Sequence, residues 1–161
     1  IVQYKNSTVA IESIDMDSLK LKEKPLNVTS NNDTRILWNG PKNWLLVSTK
    51  KDLIKDILQN FKESDFAMTD LSHSRAIIEI EGKETKEVLK KGCPFNFNTL
   101  KKNNSINSTY NGIAFTVDML DDNPNKVRLF ALRSFGESLY RSITDASLEF
   151  GFKTIQNSNH E

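Results

Sequence analysis

Residues 113 to 131 limit the fold most strongly. Ile113, Phe115, Val117 and Met119 alternate with Ala114, Thr116 and Asp118, and Val127, Leu129 and Ala131 resume the pattern beyond Asp121-Asp122-Asn123-Pro124-Asn125. Successive side chains of a strand point to opposite faces, so a period of two on both sides of a turn-forming cluster predicts an antiparallel hairpin. RILW and NWLLV, flanking Asn39-Gly40-Pro41-Lys42, predict another over residues 35 to 47. Strands joined as hairpins, rather than strictly alternating with helices, imply an α+β fold with largely antiparallel sheets.

Between the hairpins the period lengthens. Leu53, Ile54, Ile57, Leu58 and Phe61 fall on one helical face, with Ser48 or Thr49 available as cap. Ala76, Ile78 and Ile80 alternate with Ile77, Glu79 and Glu81 and predict a strand ended by Gly82. Lys83 to Lys91 reads as a short helix closed by Gly92, where a left-handed residue is expected, and by Pro94. Ser134 and Glu137 stand in capping-box relation ahead of a last helix carrying Phe135, Leu139, Ile143, Ala146 and Phe150 up to Gly151. Val9 and Ile11 predict a first short strand, whereas Lys20 to Asp33 and Asn96 to Asn111 read as polar connections. The expected architecture is one domain over 1–161, two ferredoxin-like halves that intertwine, with a mobile tail over 152–161.

Composition excludes several functions. With 22 basic and 21 acidic side chains, the net charge of +1 supplies no field that would draw nucleic acid or anionic lipid. Apolar runs reach four or five residues, as at Trp44 to Val47, against about 20 for a membrane span. IVQYKNSTVA lacks the basic start and apolar run of a secretory signal. Five glycosylation-like sequons, at Asn6, Asn27, Asn32, Asn103 and Asn107, are what chance gives in so Asn-rich a chain. A single cysteine fits a reducing compartment, so the expected location is the cytoplasm.

TDLSHSRAIIEIEG, residues 69 to 82, places Asp70, Ser72, His73 and Ser74 almost side by side, the ingredients of a hydrolase. If residues 70 to 75 are extended, however, Ser72 and Ser74 point away from His73, and a nucleophile must lie within about 3 Å of its base. The other histidine, His160, sits in the tail. Cys93, just past a helix C-terminus, meets the negative end of the dipole, which opposes thiolate formation. No CxxC or HxxxH pair points to a metal, and the six glycines are scattered singly rather than grouped into a phosphate loop. Trp38 and Trp44 read as cross-strand packing rather than as a ligand wall, and Lys50, Lys51, Lys55 and Lys62 as a solvated face. Arg128 and Arg133 flank the last strand, where arginines can clamp a carboxylate or form ordinary surface pairs.

TDLSHSRAIIEIEGKETKEVLKKGCPFNF resembles the central signature of the gamma subunit of heterotetrameric sarcosine oxidase, through Asp70, Leu71, Ser72, His73, Arg75, Gly82, Leu89, Gly92, Cys93 and Pro94. Two further segments agree: LWNGPKNWLLV, with Trp38, Gly40, Pro41, Trp44 and Leu45, and LRSFGESLYRSITDASLEFG, with Arg133, Ser134, Phe135 and Leu139. More distantly, the Asp-Leu-Ser-His run is similar to the folate-binding fold of the glycine-cleavage T-protein. The resemblance implies an assembly that oxidatively demethylates sarcosine to glycine, forming hydrogen peroxide and methylene-tetrahydrofolate. It also implies alpha, beta and delta subunits as partners, which would hold FAD, FMN, NAD, zinc and tetrahydrofolate. This chain would then be a structural subunit that binds no cofactor and supplies no catalytic residue. His73, Arg75, Arg133 and Phe135 are the signature residues expected to face partners; His73 is otherwise expected to hydrogen-bond backbone at the start of its strand. The competing reading is a free-standing folate-fold protein that binds tetrahydrofolate or a related pterin by itself.

Overall fold

Two antiparallel sheets packed on each other make up the protein, seen in a computed structural model that describes residues 1–155. Residues 156–161, which hold His160 and the end of the expected tail, lie outside the described residues. The first sheet contains β1 (Val2–Gln3), β4 (Val28–Ser30), β5 (Thr34–Gly40), β6 (Asn43–Ser48) and β7 (Phe66–Ala67), in the order β4-β5-β6-β1-β7. A separate ribbon pairs β2 (Asp15–Met16) with β3 (Leu19–Lys20). The second sheet contains β8 (Arg75–Glu81), β9 (Ser105–Tyr110), β10 (Ile113–Asp122) and β11 (Asn125–Leu132), in the order β8-β11-β10-β9. Its helices are α2 (Thr85–Lys90) and α3 (Gly136–Ser147), while α1 (Leu53–Asn60) belongs to the first sheet. The α+β class with antiparallel sheets is therefore as expected. Relative to a ferredoxin-like order, the second helix of the 75–150 half follows the last strand rather than preceding it.

Both expected hairpins form. Phe115, Val117 and Met119 pair with Ala131, Leu129 and Val127, and this face packs on Val88, Leu89, Leu139 and Ile143 in the larger core. Full burial of side chains such as Leu139 is worth about 1.5–3 kcal/mol each, and this packing holds α3 on the sheet. In the other hairpin Ile36 and Trp44 join Leu53 and Ile57 of α1 in a second core. Ile54 and Leu58 are exposed, because only one column of the apolar stripe on α1 meets the sheet.

Several local expectations give way to tertiary structure. Ile11–Ser13 is a 3-10 turn, not a strand; the first strand is β1, and the side chain of Gln3 ties Val9 down by donating to its carbonyl at 2.8 Å. The polar stretch from Lys20 to Asp33 contains β4, and that from Asn96 to Asn111 contains β9, both recruited by pairing with apolar neighbours. Ser48 does not cap α1; its hydroxyl accepts the Lys50 N–H before the helix begins. Ser134 and Glu137 form no capping box, and Glu137 instead accepts from Arg141 at 2.6 Å. Phe135 and Phe150 flank α3 in 3-10 turns and are exposed, so the buried residues of α3 are Leu139, Ile143 and Ser147, with Ala146 partly covered. Gly92 is not left-handed; a Cβ there would lie 2.6 Å from the Tyr110 ring, so close approach rather than φ requires glycine.

The sheets meet through Val28, Leu37 and Phe130, which are buried, with Leu45 and Val47 at the margin. Backbone bonds stitch the junction: Val28 N–H donates to the Asn103 carbonyl at 3.0 Å and Ser105 N–H to that of Leu26 at 2.9 Å.

Candidate functional site

The four expected site residues lie around the start of β8 and the end of β11. Residues 72–74 form a turn rather than an extended run. Asp70 builds it: its Oδ1 accepts from the Ser72 N–H at 2.9 Å and from the Ser72 hydroxyl at 2.6 Å. These bonds hold the Asp70 carboxyl below the usual carboxylate range. Ser74 closes the turn by donating its N–H and its hydroxyl to the Leu71 carbonyl. The hydroxyl of Ser72 is thus committed to Asp70, and no Ser-His pair forms. The opposed faces expected for these residues do not apply, yet the local triad fails on the turn geometry that replaces them.

The turn is fastened to β11. Arg133 N–H donates to the Ser74 carbonyl at 2.9 Å, and its Nη1 reaches the His73 carbonyl at 3.4 Å. Leu132 pairs with Arg75 and Phe130 with Ile77, so Arg75, Ile77 and Leu132 share the sheet face opposite the larger core. Behind them Gly136 backs onto Ala76, whose Cβ would be 2.7 Å from any Cβ at position 136. That contact sets how closely the start of α3 approaches β8.

His73 and Arg133 are exposed, Ile77 is 57% exposed, and Leu132 and Phe135 are each 47% exposed. His73 meets backbone through its own carbonyl, and its ring makes no hydrogen bond among the described residues but lies within electrostatic reach of the Asp70 carboxylate; the Arg75 guanidinium has no hydrogen-bond or ion-pair partner among the described residues. Guanidinium groups beside exposed apolar side chains are the composition of protein-binding hot spots.

The remaining candidates have structural partners. Arg128 forms a cross-strand pair with Glu79 at 2.6 Å, the ordinary alternative to a carboxylate clamp. Cys93 is buried with its Sγ 3.3 Å from the Ser108 hydroxyl. Trp38 stands opposite Trp44 across the hairpin, although its indole N–H is buried without a hydrogen-bond partner. Lys50 pairs with Asp17, and Lys55 with Asp52 at 3.4 Å. Among the described residues no group of three or more His, Cys, Asp or Glu could hold a metal, and no helix is long and apolar enough to cross a membrane. Among the described residues, pockets of about 340 and 200 Å³ are seen, and none of the four expected residues lines either. Sequence reasoning missed the smaller one, which uses Ser105 of β9, a strand hidden in a polar stretch.

These features define an α+β protein of two packed antiparallel sheets with a mixed cationic and apolar surface at one strand end. No known family model matches the chain. The sarcosine oxidase subunit gamma of Corynebacterium sp. (strain U-96) is 34% identical to it over 62 residues, 38% of this chain and 30% of that protein. The match thus spans less than a third of that relative's length. A chain of the heterotetrameric sarcosine oxidase from Corynebacterium sp. U-96, solved in complex with pyrrole 2-carboxylate, superposes with a TM-score of 0.76 at 22% identity. That superposition covers 86% of this chain and 72% of the other, and the two share their fold. The resemblance read from the sequence is borne out by both.

Proposed function

We propose that this chain is a gamma-type structural subunit of a cytoplasmic flavin-dependent oxidase complex that demethylates sarcosine. The observation that carries this reading is the shared fold over 86% of the chain, joined to the sequence signature around Asp70 to Pro94. In the proposed complex the N-methyl group of sarcosine gives up a hydride equivalent to flavin, and oxygen leaves as hydrogen peroxide. The one-carbon unit is taken by tetrahydrofolate and glycine is released. FAD, FMN, NAD and zinc belong in this proposal to the alpha, beta and delta subunits, and no step is assigned to a side chain of this one.

The role proposed for the chain is to dock as one unit, 1–161, through the surface around His73, Arg75, Arg133 and Phe135, and so to help enclose the route of the one-carbon intermediate. Arg75 is the anchor best placed for this, because its guanidinium has no internal partner among the described residues and can make a two-point contact with a carboxylate of another subunit. Reconstitution tests the reading: the larger flavoprotein subunits are assembled with and without this chain, and sarcosine-dependent peroxide and methylene-tetrahydrofolate are measured. The expected result is that omission weakens assembly or releases free formaldehyde. Unchanged assembly and product partition would contradict the proposal, and tight tetrahydrofolate binding by the chain alone would favour a free-standing folate protein.

A further inference from the structure

The outer N–H and C=O groups of an edge strand are open to another chain unless something covers them. Most sheet edges here are closed or short. β4 and β9 are stitched together by the Val28 N–H, which donates to the Asn103 carbonyl at 3.0 Å, and by the Ser105 N–H, which donates to that of Leu26 at 2.9 Å. β7 is no more than Phe66–Ala67. β8 differs: it runs over Arg75–Glu81 at the end of its sheet, with β11 as its one strand neighbour among the described residues. In an antiparallel pair, residues whose backbone groups point at the partner alternate with residues whose groups point away. The Ser74 carbonyl accepts the Arg133 N–H and the Gly82 N–H donates to the Asn125 carbonyl, each at 2.9 Å, so the even positions from 74 to 82 face β11. Arg75, Ile77, Glu79 and Glu81 therefore turn their N–H and C=O outward, and among the described residues none of these backbone groups has a partner.

We propose that β8 is a self-association edge: a second copy of this chain pairs with it antiparallel about a two-fold axis at Ile77, with Arg75 of each copy opposite Glu79 of the other. Charged residues on an edge ordinarily deter pairing. Here the signs are opposite on either side of an isoleucine, and Arg75, Ile77 and Glu79 share the face turned away from the larger core. Antiparallel pairing then sets Ile77 on Ile77 and a guanidinium opposite a carboxylate at both ends, whereas in-register parallel pairing sets like charges together. The side chains are available for it. Ile77 is more than half exposed, and the Arg75 guanidinium has no partner among the described residues. Glu79 gives Oε1 to Arg128 at 2.6 Å, but its Oε2 stands 3.9 Å from Lys126 Nζ, too far for a hydrogen bond, and can accept a further donor. An unrelated strand could satisfy the same backbone groups but would need the matching charge order, which a second copy carries by symmetry. Pairing over residues 75–79 is small, so the association is weak and reversible. It concerns the chain by itself and does not rest on the subunit reading; because it engages Arg75, it excludes docking through that residue at the same time.

The test is sedimentation of the full chain alone from about 10 µM to about 1 mM, joined to amide hydrogen exchange of the 15N-labelled chain over the same range. A monomer–dimer equilibrium is expected, with exchange at the Ile77 and Glu79 N–H slowing as the dimer fills. Ile77→Lys sets two ammonium groups against each other at the axis, and Arg75→Glu sets carboxylates opposite carboxylates; each is expected to weaken association about tenfold or more. Both positions carry their side chains on the outer face, and thermal unfolding of each variant reports that the fold is kept. A chain that stays monomeric throughout, a dimer that leaves exchange at these amides unchanged, or wild-type association by either folded variant would overturn the proposal.

Discussion

Arg35 on β5 donates through Nε and Nη2 to both carboxylate oxygens of Asp118 on β10, each at 2.7 Å, across the junction of the two sheets. Asp118 is completely buried and the Arg35 side chain is 16% exposed. The planar guanidinium fits the carboxylate in a two-point contact that sets the position of one sheet on the other as well as their affinity. Arg35→Ala strands a buried carboxylate and is expected to cost about 3–5 kcal/mol. Asp118→Ala should cost less, because Arg35 can turn toward water. Urea unfolding of both variants and of the double variant measures the coupling; additive losses would show that the pair contributes nothing beyond its separate side chains.

Gly92 and Tyr110 occupy the same volume. The Tyr110 ring is fully buried and its hydroxyl donates to the Val88 carbonyl at 2.9 Å, so it has no room to retreat. Gly92→Ala is therefore expected to destabilise by about 1–3 kcal/mol through overpacking, and Tyr110→Leu should relieve part of that cost in the double variant. Thermal unfolding of the single and double variants checks this.

Asp17 governs acid stability near the first sheet. Hydrogen bonds from Lys50, Thr34 and Asn31 lower its carboxyl from 3.8 to about 2. Because the folded-state pKa lies below the unfolded one, this stabilisation is present above about pH 4 and is lost as the pH falls through about 2. Asp17 has φ 54, a conformation asparagine tolerates, so Asp17→Asn removes the charge without backbone strain. The variant should be less stable than wild type at neutral pH, and the difference should shrink between about pH 4 and pH 2. A constant difference across that range would contradict it.

At the proposed docking surface, substitutions should separate binding from folding. Phe135→Ala and Arg75→Ala remove side chains with few internal contacts, so unfolding free energies should stay within about 0.5 kcal/mol of wild type. The pair of substitutions should weaken capture of the partner subunits by roughly tenfold or more. Loss of stability without loss of capture would place these residues in the fold rather than at an interface.

The parts of the fold legible in the sequence are those where burial imprints a period. β10, β11, β6 and the buried column of α3 carry apolar residues at most positions that are buried, with Asp118 and Ser147 as polar exceptions, so alternation and helical spacing reveal them. β9 reads SINSTY, with only Ile106 and Tyr110 apolar, and is a strand because β10 offers it a hydrogen-bonding edge. β1 and β4 are too short for any period, and the pairing that creates them joins residues far apart, as in Val2 with Asn43 and Ala67. At the candidate site, resemblance marked His73, Arg75, Arg133 and Phe135. It could not show that Arg133 fastens the His73 turn, because that bond spans 60 positions. The smaller pocket left no signal, since Trp38 and Ser105, which help line it, lie in different sheets.

As proposed, this chain works as a subunit docked on larger flavoproteins. Its most direct test is a tagged purification of the chain from its native cells, with mass spectrometry of the co-eluting proteins and a visible absorption spectrum. Two larger proteins in fixed ratio and the yellow absorbance of bound flavin are expected. Elution alone and colourless would contradict it.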